Sequence, residues 1–132
     1  PPYSGRCILT NCIFCKLDEE RIVEKTTSFL VIRDLFPVCD LHTLIIPIRH
    51  VETYFDLNDV ELNELPDVLS GQRDLILEQD DTVTGFNIGI NSGKDAGQTI
   101  FHCHIHLIPR RKGDTGNPRG GVRGVIPGKQ SY

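Results

Sequence analysis

Three histidines at alternate positions, in the stretch FHCHIHLIP over residues 101–109, constrain this chain more than any other feature of its sequence. Apolar residues separate the histidines and Pro109 follows them, a pattern typical of a β-strand. Because successive side chains of a strand point to opposite faces, His102, His104 and His106 are predicted to share one face. The residues predicted to share the other face are Cys103, Ile105 and Leu107.

The alternation alone leaves the purpose of the histidines open. Neighbours on one strand face lie about 6.6–6.8 Å apart, whereas a zinc ligand nitrogen lies only about 2.0–2.1 Å from its ion. Two of the histidines can therefore lean onto one metal ion, and three would need help from the strand's twist. The row predicts a metal site, a catalytic row or a division between the two. An ordinary half-exposed strand is the weakest interpretation, because that face carries no Lys, Glu or Thr.

The composition indicates one soluble globular domain. The chain has 132 residues, of which 39% are hydrophobic and 24% are charged. This length supports one domain with a substantial core. We expect a single domain over residues 1–132, in which residues 1–10 form an N-terminal extension. No apolar run is as long as a membrane-spanning helix and the first ten residues lack a signal peptide's apolar core, so no membrane partner is expected.

The number of cysteines indicates the cellular compartment of the protein, and the net charge indicates which binding partners are disfavoured. The chain has five cysteines, an odd number that, without a secretion signal, predicts a reducing cytoplasm. A formal net charge of −4 disfavours a nucleic-acid partner. Residues 107–132 nevertheless hold six basic side chains against Asp114 alone, a net of +5 that leaves −9 elsewhere. We predict an irregular basic arm over residues 110–132, which either adjoins a site for an anionic ligand or is a solvated tail.

The remaining elements predict an α+β fold with a mostly antiparallel sheet and one main helix. Residues 21–36 predict two short strands around a turn at Thr26-Thr27, and residues 41–48 and 84–92 predict one strand each. Within LHTLIIPI, the position of Pro47 suggests an edge strand or a bulge.

The stretch DLNDVELNELPDVLSGQRDLILEQ, residues 56–79, predicts the main helix. Asn58 can cap its N-terminus together with Glu61, which lies three residues further on. Pro66 and Gly71 are expected to kink or interrupt the helix.

A glycine-rich turn precedes the histidine row. Gly93-Lys94 is not a P-loop, because Asp95 stands where that motif has Ser or Thr and a strand follows instead of a helix. Such a turn can offer backbone amides to an anion, although most are only hairpins. Because this turn precedes a row of imidazoles, a role in binding an anion is favoured. A neutral imidazole can attack phosphorus, and nearby donors can hold the phosphate oxygens.

The stretch CIFC places Cys12 and Cys15 three positions apart, a spacing typical of half of a tetrahedral zinc site. A redox pair is disfavoured because no helix opens at this point. A pair of buried thiols beside Phe14 is the other alternative. The remaining thiols, Cys7, Cys39 and Cys103, are expected to be buried or half-exposed, and His42 is expected to be structural.

The stretch GQTIFHCHIHLIPR, residues 97–110, resembles the histidine triad (HIT) nucleotide hydrolases and transferases in its His-x-His-x-His pattern followed by apolar residues. Asn91, the Gly97-Gln98-Thr99 turn and residues 33–50 also match, so the resemblance covers nearly the whole chain. It implies a HIT-like α+β fold, a homodimer, and a chemical step that needs no metal.

In that family the middle histidine attacks an α-phosphate, and water then frees the nucleoside monophosphate. The resemblance implies that His104 is the nucleophile. It implies that His106 contacts the phosphate and assists proton transfer to the leaving group. The implied substrate site comprises Phe14, Ile32 and Leu35 for the base, Asp34 for the ribose, and Asn91, Gly97, Gln98 and Thr99 for the phosphate.

The resemblance to zinc-bearing bacterial members of the family indicates which residues of this chain would be the remaining metal ligands. They imply that His50 and His102 complete the pair Cys12 and Cys15. A site with four protein ligands has no open position, so this zinc would be structural. His104 and His106 would then remain for the phosphate.

The third triad position is His106, where the nucleotidyltransferase branch has Gln, and this favours a hydrolase. PRRKGD, residues 109–114, resembles the bacterial branch and the dinucleoside polyphosphate hydrolases, so cleavage of diadenosine tetraphosphate with release of AMP is favoured. An adenosine phosphoramidase and a nucleotide-binding module with little catalysis are alternatives. A further rival is a zinc hydrolase in which His102, His104 and His106 hold an open metal.

Overall fold

The computed structural model of the protein describes residues 11–132, so the proposed N-terminal extension and Cys7 lie outside the described residues. Five strands form one sheet in the order β1-β2-β3-β5-β4, and every neighbouring pair is antiparallel. The strands are β1 Ile22–Lys25, β2 Phe29–Arg33, β3 Thr43–Pro47, β4 Val83–Ile90 and β5 Ile105–Arg111. With one long helix, α1, at Asp59–Gln79, this architecture confirms the predicted α+β fold.

Helix α1 begins as the sequence predicts. Asn58 caps it by accepting from the Glu61 amide, and the Glu61 carboxylate accepts from the Asn58 amide in return. Contrary to expectation, the helix continues through Pro66 and Gly71 to its end at Gln79. Both residues lie on its exposed side, while Leu65, Val68 and Ile76 face the core. The helix tolerates them because its buried face provides most of its stability.

Strand β3 lies in the middle of the sheet, between β2 and β5, so the expectation of an edge strand or a bulge at Pro47 is wrong. Pro47 is the last residue of β3, where a missing donor costs the ladder little. Its carbonyl oxygen is 2.8 Å from Nε2 of His102. The sheet therefore supplies an acceptor to the first triad histidine.

Strand β5 starts later and ends later than the sequence suggests. It begins at Ile105, so His102 and His104 precede it, and it continues through Pro109, which pairs with Phe86. His106 lies opposite Leu44 of β3 and Gly89 of β4. The third triad histidine thus lies within the sheet, with a paired strand on each side, whereas the first two lie in the segment just before β5.

Different parts of the chain pack against the two faces of the sheet. On one face, α1 packs through Leu65 and Val68 onto a core that includes Phe29, Ile45 and Ile105. The opposite face, on which His106 lies, carries a second core cluster. That cluster contains Phe14, Ile32, Leu44 and Ile46. The segment around Phe14 therefore covers the histidine face.

The C-terminal arm, residues 112–132, leaves β5 and includes a short 3-10 helix at Gly121–Val125. Among the described residues, no helix combines the length and the apolar character needed to cross a membrane.

Candidate active site

The backbone sets the orientation of the His104 ring. Nδ1 of His104 lies 2.8 Å from the carbonyl oxygen of His102. A carbonyl oxygen only accepts, so Nδ1 carries the proton, and Nε2 of the neutral ring keeps its lone pair. This is the tautomer that a nucleophile requires. The ring centroid of His104 lies 5.3 Å from that of His106.

A chain of hydrogen bonds orients His106 in the opposite sense. The Val38 amide donates to Nδ1 of His42 over 3.1 Å, so Nε2 of the neutral His42 ring carries the proton. That nitrogen lies 2.9 Å from Nδ1 of His106 and donates to it. Nε2 of His106 therefore carries a proton, and this ring nitrogen is a hydrogen-bond donor.

The protonation states of these rings follow from their surroundings. Burial, then the neighbouring His104 and His42, lowers the pKa of His106 to about 4. Burial also lowers the pKa of His42, and the Asp34 carboxylate, 3.5 Å away, opposes this by raising it. Both rings are consequently neutral near pH 7. His42, which was expected to be structural, thus sets the tautomer of His106.

Asp34, His42 and His106 lie close enough to hold a metal ion. The hydrogen bonds oppose that role. A metal needs a lone pair on each ligand nitrogen, but the Val38 amide leaves the proton of His42 on the nitrogen that faces His106. A relay of hydrogen bonds fits these groups better than a cation does.

A cavity of about 280 Å³, which we call the first cavity, opens beside His104 and His106. Most of the predicted substrate residues line it: Phe14, Ile32, Asp34, Leu35, Asn91, Gly97 and Thr99. Phe14 and Ile32 are buried, and Leu35 stands at the rim with 65% of its surface exposed. Arg21 also lines the cavity, a cation that sequence reasoning missed.

Gln98 differs from the expectation that it lines the phosphate site. Its side chain is buried and is absent from the lining of the first cavity. Its amide nitrogen donates to the carbonyl oxygens of Glu52 and Ile100, and its oxygen accepts from the Gly93 amide. With its donors and acceptor satisfied inside the protein, Gln98 holds the Gly93–Thr99 turn in place. The turn itself requires glycine at Gly97, whose φ is 96°.

The predicted metal ligands converge on one point. Nδ1 of His50 lies 3.1 Å from Nδ1 of His102 and 3.3 Å from Sγ of Cys15. Nδ1 of His102 lies 3.5 Å from Sγ of Cys12 and 3.6 Å from Sγ of Cys15. A tetrahedral zinc with ordinary bond lengths separates its ligands by about 3.3–3.7 Å. Four of the six separations among the ligand atoms are thus close to those of a tetrahedral zinc, and all four atoms lie within 4.8 Å of one another.

The tautomer of His102 also fits a metal. Its Nε2–H donates to the Pro47 carbonyl, so Nδ1 keeps its lone pair toward the thiols. The ring is fully buried, and burial first of all lowers its pKa to about 4. Because Nδ1 of His102 faces the cysteines and Nδ1 of His104 is taken by a carbonyl, the three triad rings do not converge on one ion. This geometry disfavours the open-metal hydrolase.

The four candidate metal ligands Cys12, Cys15, His50 and His102, which we call the metal cluster, are connected to the first cavity in two ways. His102 contributes Nδ1 to the cluster and its carbonyl oxygen to His104. Phe14, between Cys12 and Cys15, packs its ring 6.0 Å from His102 and 5.0 Å from His104. The segment from Cys12 to Cys15, which we call the knuckle, therefore provides two of the four candidate metal ligands and a wall against the candidate nucleophile.

A comparison with protein families identifies residues 16–113 as a HIT domain. The chain belongs to the HIT family. The relatives of this HIT protein include an adenosine 5'-monophosphoramidase of Candida albicans, which is 35% identical over 80% of this chain and 74% of the relative. A bis(5'-nucleosyl)-tetraphosphatase (asymmetrical) of Schizosaccharomyces pombe is 40% identical over 61% of this chain and 44% of the relative.

Among solved structures, the HIT protein is similar to a Zn-bound histidine triad family protein from Mycobacterium smegmatis. The two are 34% identical with a TM-score of 0.71, over 80% of this chain and 78% of the other. The family match and the relatives named as hydrolases confirm the predicted family, fold and hydrolase class. The zinc-bound neighbour and the Cys/His cluster are compatible with zinc.

Proposed function

We propose that the protein hydrolyses adenosine-containing nucleotides at the α-phosphate through a covalent nucleotidyl-His104 intermediate, releasing AMP. The observation that carries this proposal is the pair of opposite tautomers at one cavity. His104 presents a lone pair and His106 presents a proton, each set by its own hydrogen bonds. A nucleophile and a donor are the two groups that a phosphoryl displacement needs.

In the first step, Nε2 of His104 attacks the α-phosphorus. The N–P bond forms, the bond from phosphorus to the leaving oxygen breaks, and the leaving group takes the electron pair. The His104 ring becomes positively charged, and its Nδ1–H to the His102 carbonyl stabilises that charge. Nε2–H of His106 donates a hydrogen bond to the phosphate and the leaving oxygen.

In the second step, water attacks the phosphorus from the side that the leaving group has vacated. The N–P bond breaks and its electron pair returns to Nε2 of His104, which restores the neutral ring. The proton lost by the water passes to solvent, and AMP leaves. No metal takes part in either step.

The first cavity supplies groups for the rest of the nucleotide. Phe14, Ile32 and Leu35 offer apolar surface for the base, and the Asp34 carboxylate can accept from the ribose hydroxyls. Asn91, Gly97 and Thr99 would contact the phosphate, and Arg21 adds a positive charge to the same cavity.

Cys12, Cys15, His50 and His102 would hold a structural zinc. A closed set of four ligands leaves no position for a substrate or water. Zinc supplies folding energy at such a site and does not act on the phosphate.

A dinucleoside polyphosphate, with diadenosine tetraphosphate favoured, fits the neutral state of His106. A polyphosphate leaves as an anion and needs only a hydrogen bond, whereas an amine leaving group must receive a proton. The lowered pKa of His106, about 4, leaves few molecules able to give one near pH 7. The second candidate is an adenosine phosphoramidase, because the Candida albicans relative has that name.

We also propose a cytoplasmic homodimer. Strand β4 forms one edge of the sheet, so a second copy can pair along its backbone. The thiols of Cys12 and Cys15 must stay reduced to bind a metal, which suits the cytoplasm.

The test is AMP release from diadenosine tetraphosphate and from adenosine phosphoramidate in parallel, with His104→Ala as the control. The proposal expects turnover of the first substrate at the higher rate and its loss in the variant. Wild-type rates in His104→Ala would refute the nucleophile. Bound nucleotide without turnover by the wild type would support a binding module instead.

A further inference from the structure

A second cavity, of about 640 Å³, lies between the C-terminal arm and the β4–β5 part of the sheet. It adjoins the first cavity, because Asn91 lines both. Its volume falls within the range of about 300–1,000 Å³ that is usual for small-molecule sites. The chemistry described above makes no use of it.

The second cavity continues from the first along strand β5. His106, Ile108 and Arg110 alternate on one face of β5, and the last two line the second cavity. An in-line displacement places the leaving group opposite the attacking atom, hence on the far side of the phosphorus from His104. Because the proposed mechanism has Nε2–H of His106 donate to the leaving oxygen, the leaving group would depart on the His106 side. Ile108 is the next residue of the same face of β5.

The walls of the second cavity combine apolar surface with amide groups. Ile108, Val122 and Val125 provide apolar surface, while Asn87, Asn117 and Gln130 provide donors and acceptors. A flat base with polar edges needs this combination. The cavity lining itself holds Arg110 beside its partner Asp114. The arm also carries Arg119, Arg123 and Lys129 outside that lining, and their charge attracts an anion to this part of the surface.

The arm is held in place over the sheet. Arg110 donates to Oδ1 of Asn87 over 2.7 Å and pairs with Asp114 at 2.8 Å. The side-chain amide of Gln130 donates to the Asn117 carbonyl over 2.8 Å. Gly120 has a φ of 86°, and a Cβ there would lie 1.7 Å from the Gln130 carbonyl oxygen. The closed arm therefore depends on glycine at this position.

We propose that the second cavity is a leaving-group subsite that receives the distal nucleoside of a dinucleoside polyphosphate. The inference rests on the proposed function and names the substrate class for the same active site. It accounts for the basic arm, which would hold the part of the substrate that leaves.

The test compares Val125→Asp with Ile126→Asp. Val125 lines the second cavity, whereas its neighbour Ile126 does not, and both are well exposed at 74% and 59%. The measured quantity is the ratio of kcat/KM for diadenosine tetraphosphate to kcat/KM for adenosine phosphoramidate, which has no distal nucleoside. Val125→Asp is expected to lower this ratio roughly tenfold, and Ile126→Asp to leave it unchanged.

Gly120→Ala provides a second variant that displaces the arm without replacing a residue that lines the second cavity. It is expected to lower the same ratio and to raise the rate of proteolytic cleavage after Arg119 or Arg123. Turnover of both substrates with an unchanged ratio in Val125→Asp and Gly120→Ala would overturn the subsite alone. Turnover of neither substrate by the wild type would remove the proposed function, and the subsite with it.

Discussion

The metal cluster and the first cavity use the same residue type from the same short stretch for different purposes. His102 is fully buried, with Nδ1 directed at two thiols and Nε2 bonded to the Pro47 carbonyl. His104 and His106 are only partly buried and line the first cavity. The role of each histidine is therefore decided by which of its nitrogens the rest of the protein occupies.

The first cavity depends on the metal cluster, but the metal cluster does not depend on the first cavity. His102 gives its carbonyl oxygen to His104, and Phe14 of the knuckle packs against the His104 ring. The relay on His106 comes instead from Val38 and His42, on the other side of the cavity. Loss of the metal cluster should disturb the nucleophile, whereas loss of the nucleophile should leave the metal cluster intact.

The largest effect is expected from His104→Ala. Without Nε2 no covalent intermediate can form, so turnover of diadenosine tetraphosphate should fall by at least about 10³-fold. Nucleotide binding should remain, because the other residues that line the first cavity are unchanged. Rates come from AMP release and affinity from calorimetry, and a variant that loses binding together with turnover would contradict the division of roles.

Cys12→Ser should affect stability before chemistry. Removing one thiolate from the cluster should lower the free energy of unfolding by on the order of 3–5 kcal/mol. The matched control is Cys39→Ser, since Sγ of Cys39 donates to the Pro109 carbonyl and a hydroxyl can do the same. Urea unfolding at pH 7 measures both. Equal stability of the two variants would count against a zinc site in the knuckle.

His42→Ala should release the relay that orients His106. The expected loss in kcat is roughly 10- to 100-fold, less than the about 10²–10³-fold typical of deleting a transition-state donor outright. His42→Gln should recover part of the loss, because its amide can donate to Nδ1 of His106. Equal kcat in the alanine variant and the wild type would show that the relay has no catalytic role.

The last effect is a dependence of stability on pH through His106, which appears only below neutral pH. Its pKa is about 4 in the folded protein and 6.5 without the fold, so unfolding takes up a proton between these values. Stability should therefore fall as pH is lowered from 6.5 toward 4, by up to about 3 kcal/mol. Urea midpoints across this range should fall less steeply in His106→Gln, and an identical slope would contradict the buried neutral ring.

Much of the metal cluster could be predicted from the sequence. The spacing of Cys12 and Cys15 indicates two ligands, and the resemblance to zinc-bearing relatives indicates His50 and His102. These residues are far apart in the chain, but each lies in or beside a motif with a recognisable pattern. Local spacing alone leaves buried thiols as an alternative, which the ligand separations now disfavour.

The site around His106 was harder to predict. His42 lies two positions before Leu44, which pairs with His106, so its proximity depends on the pairing of β3 with β5. No local motif reveals that pairing. The prediction that Gln98 lines the phosphate site missed its burial for a related reason. That burial depends on a contact with Glu52, which is distant in the chain. The helix continued through Pro66 because tertiary packing outweighed a local propensity.

Zinc content per chain is the sharpest test of the division of the histidine row between a metal and the phosphate. Metal analysis of the wild type, His102→Ala, His104→Ala and His106→Ala would be made on protein purified in parallel without added metal. The account predicts one zinc in the wild type and in the His104 and His106 variants, and its loss in His102→Ala. Loss of zinc from His104→Ala or His106→Ala would contradict the division and return all three histidines to a single metal site.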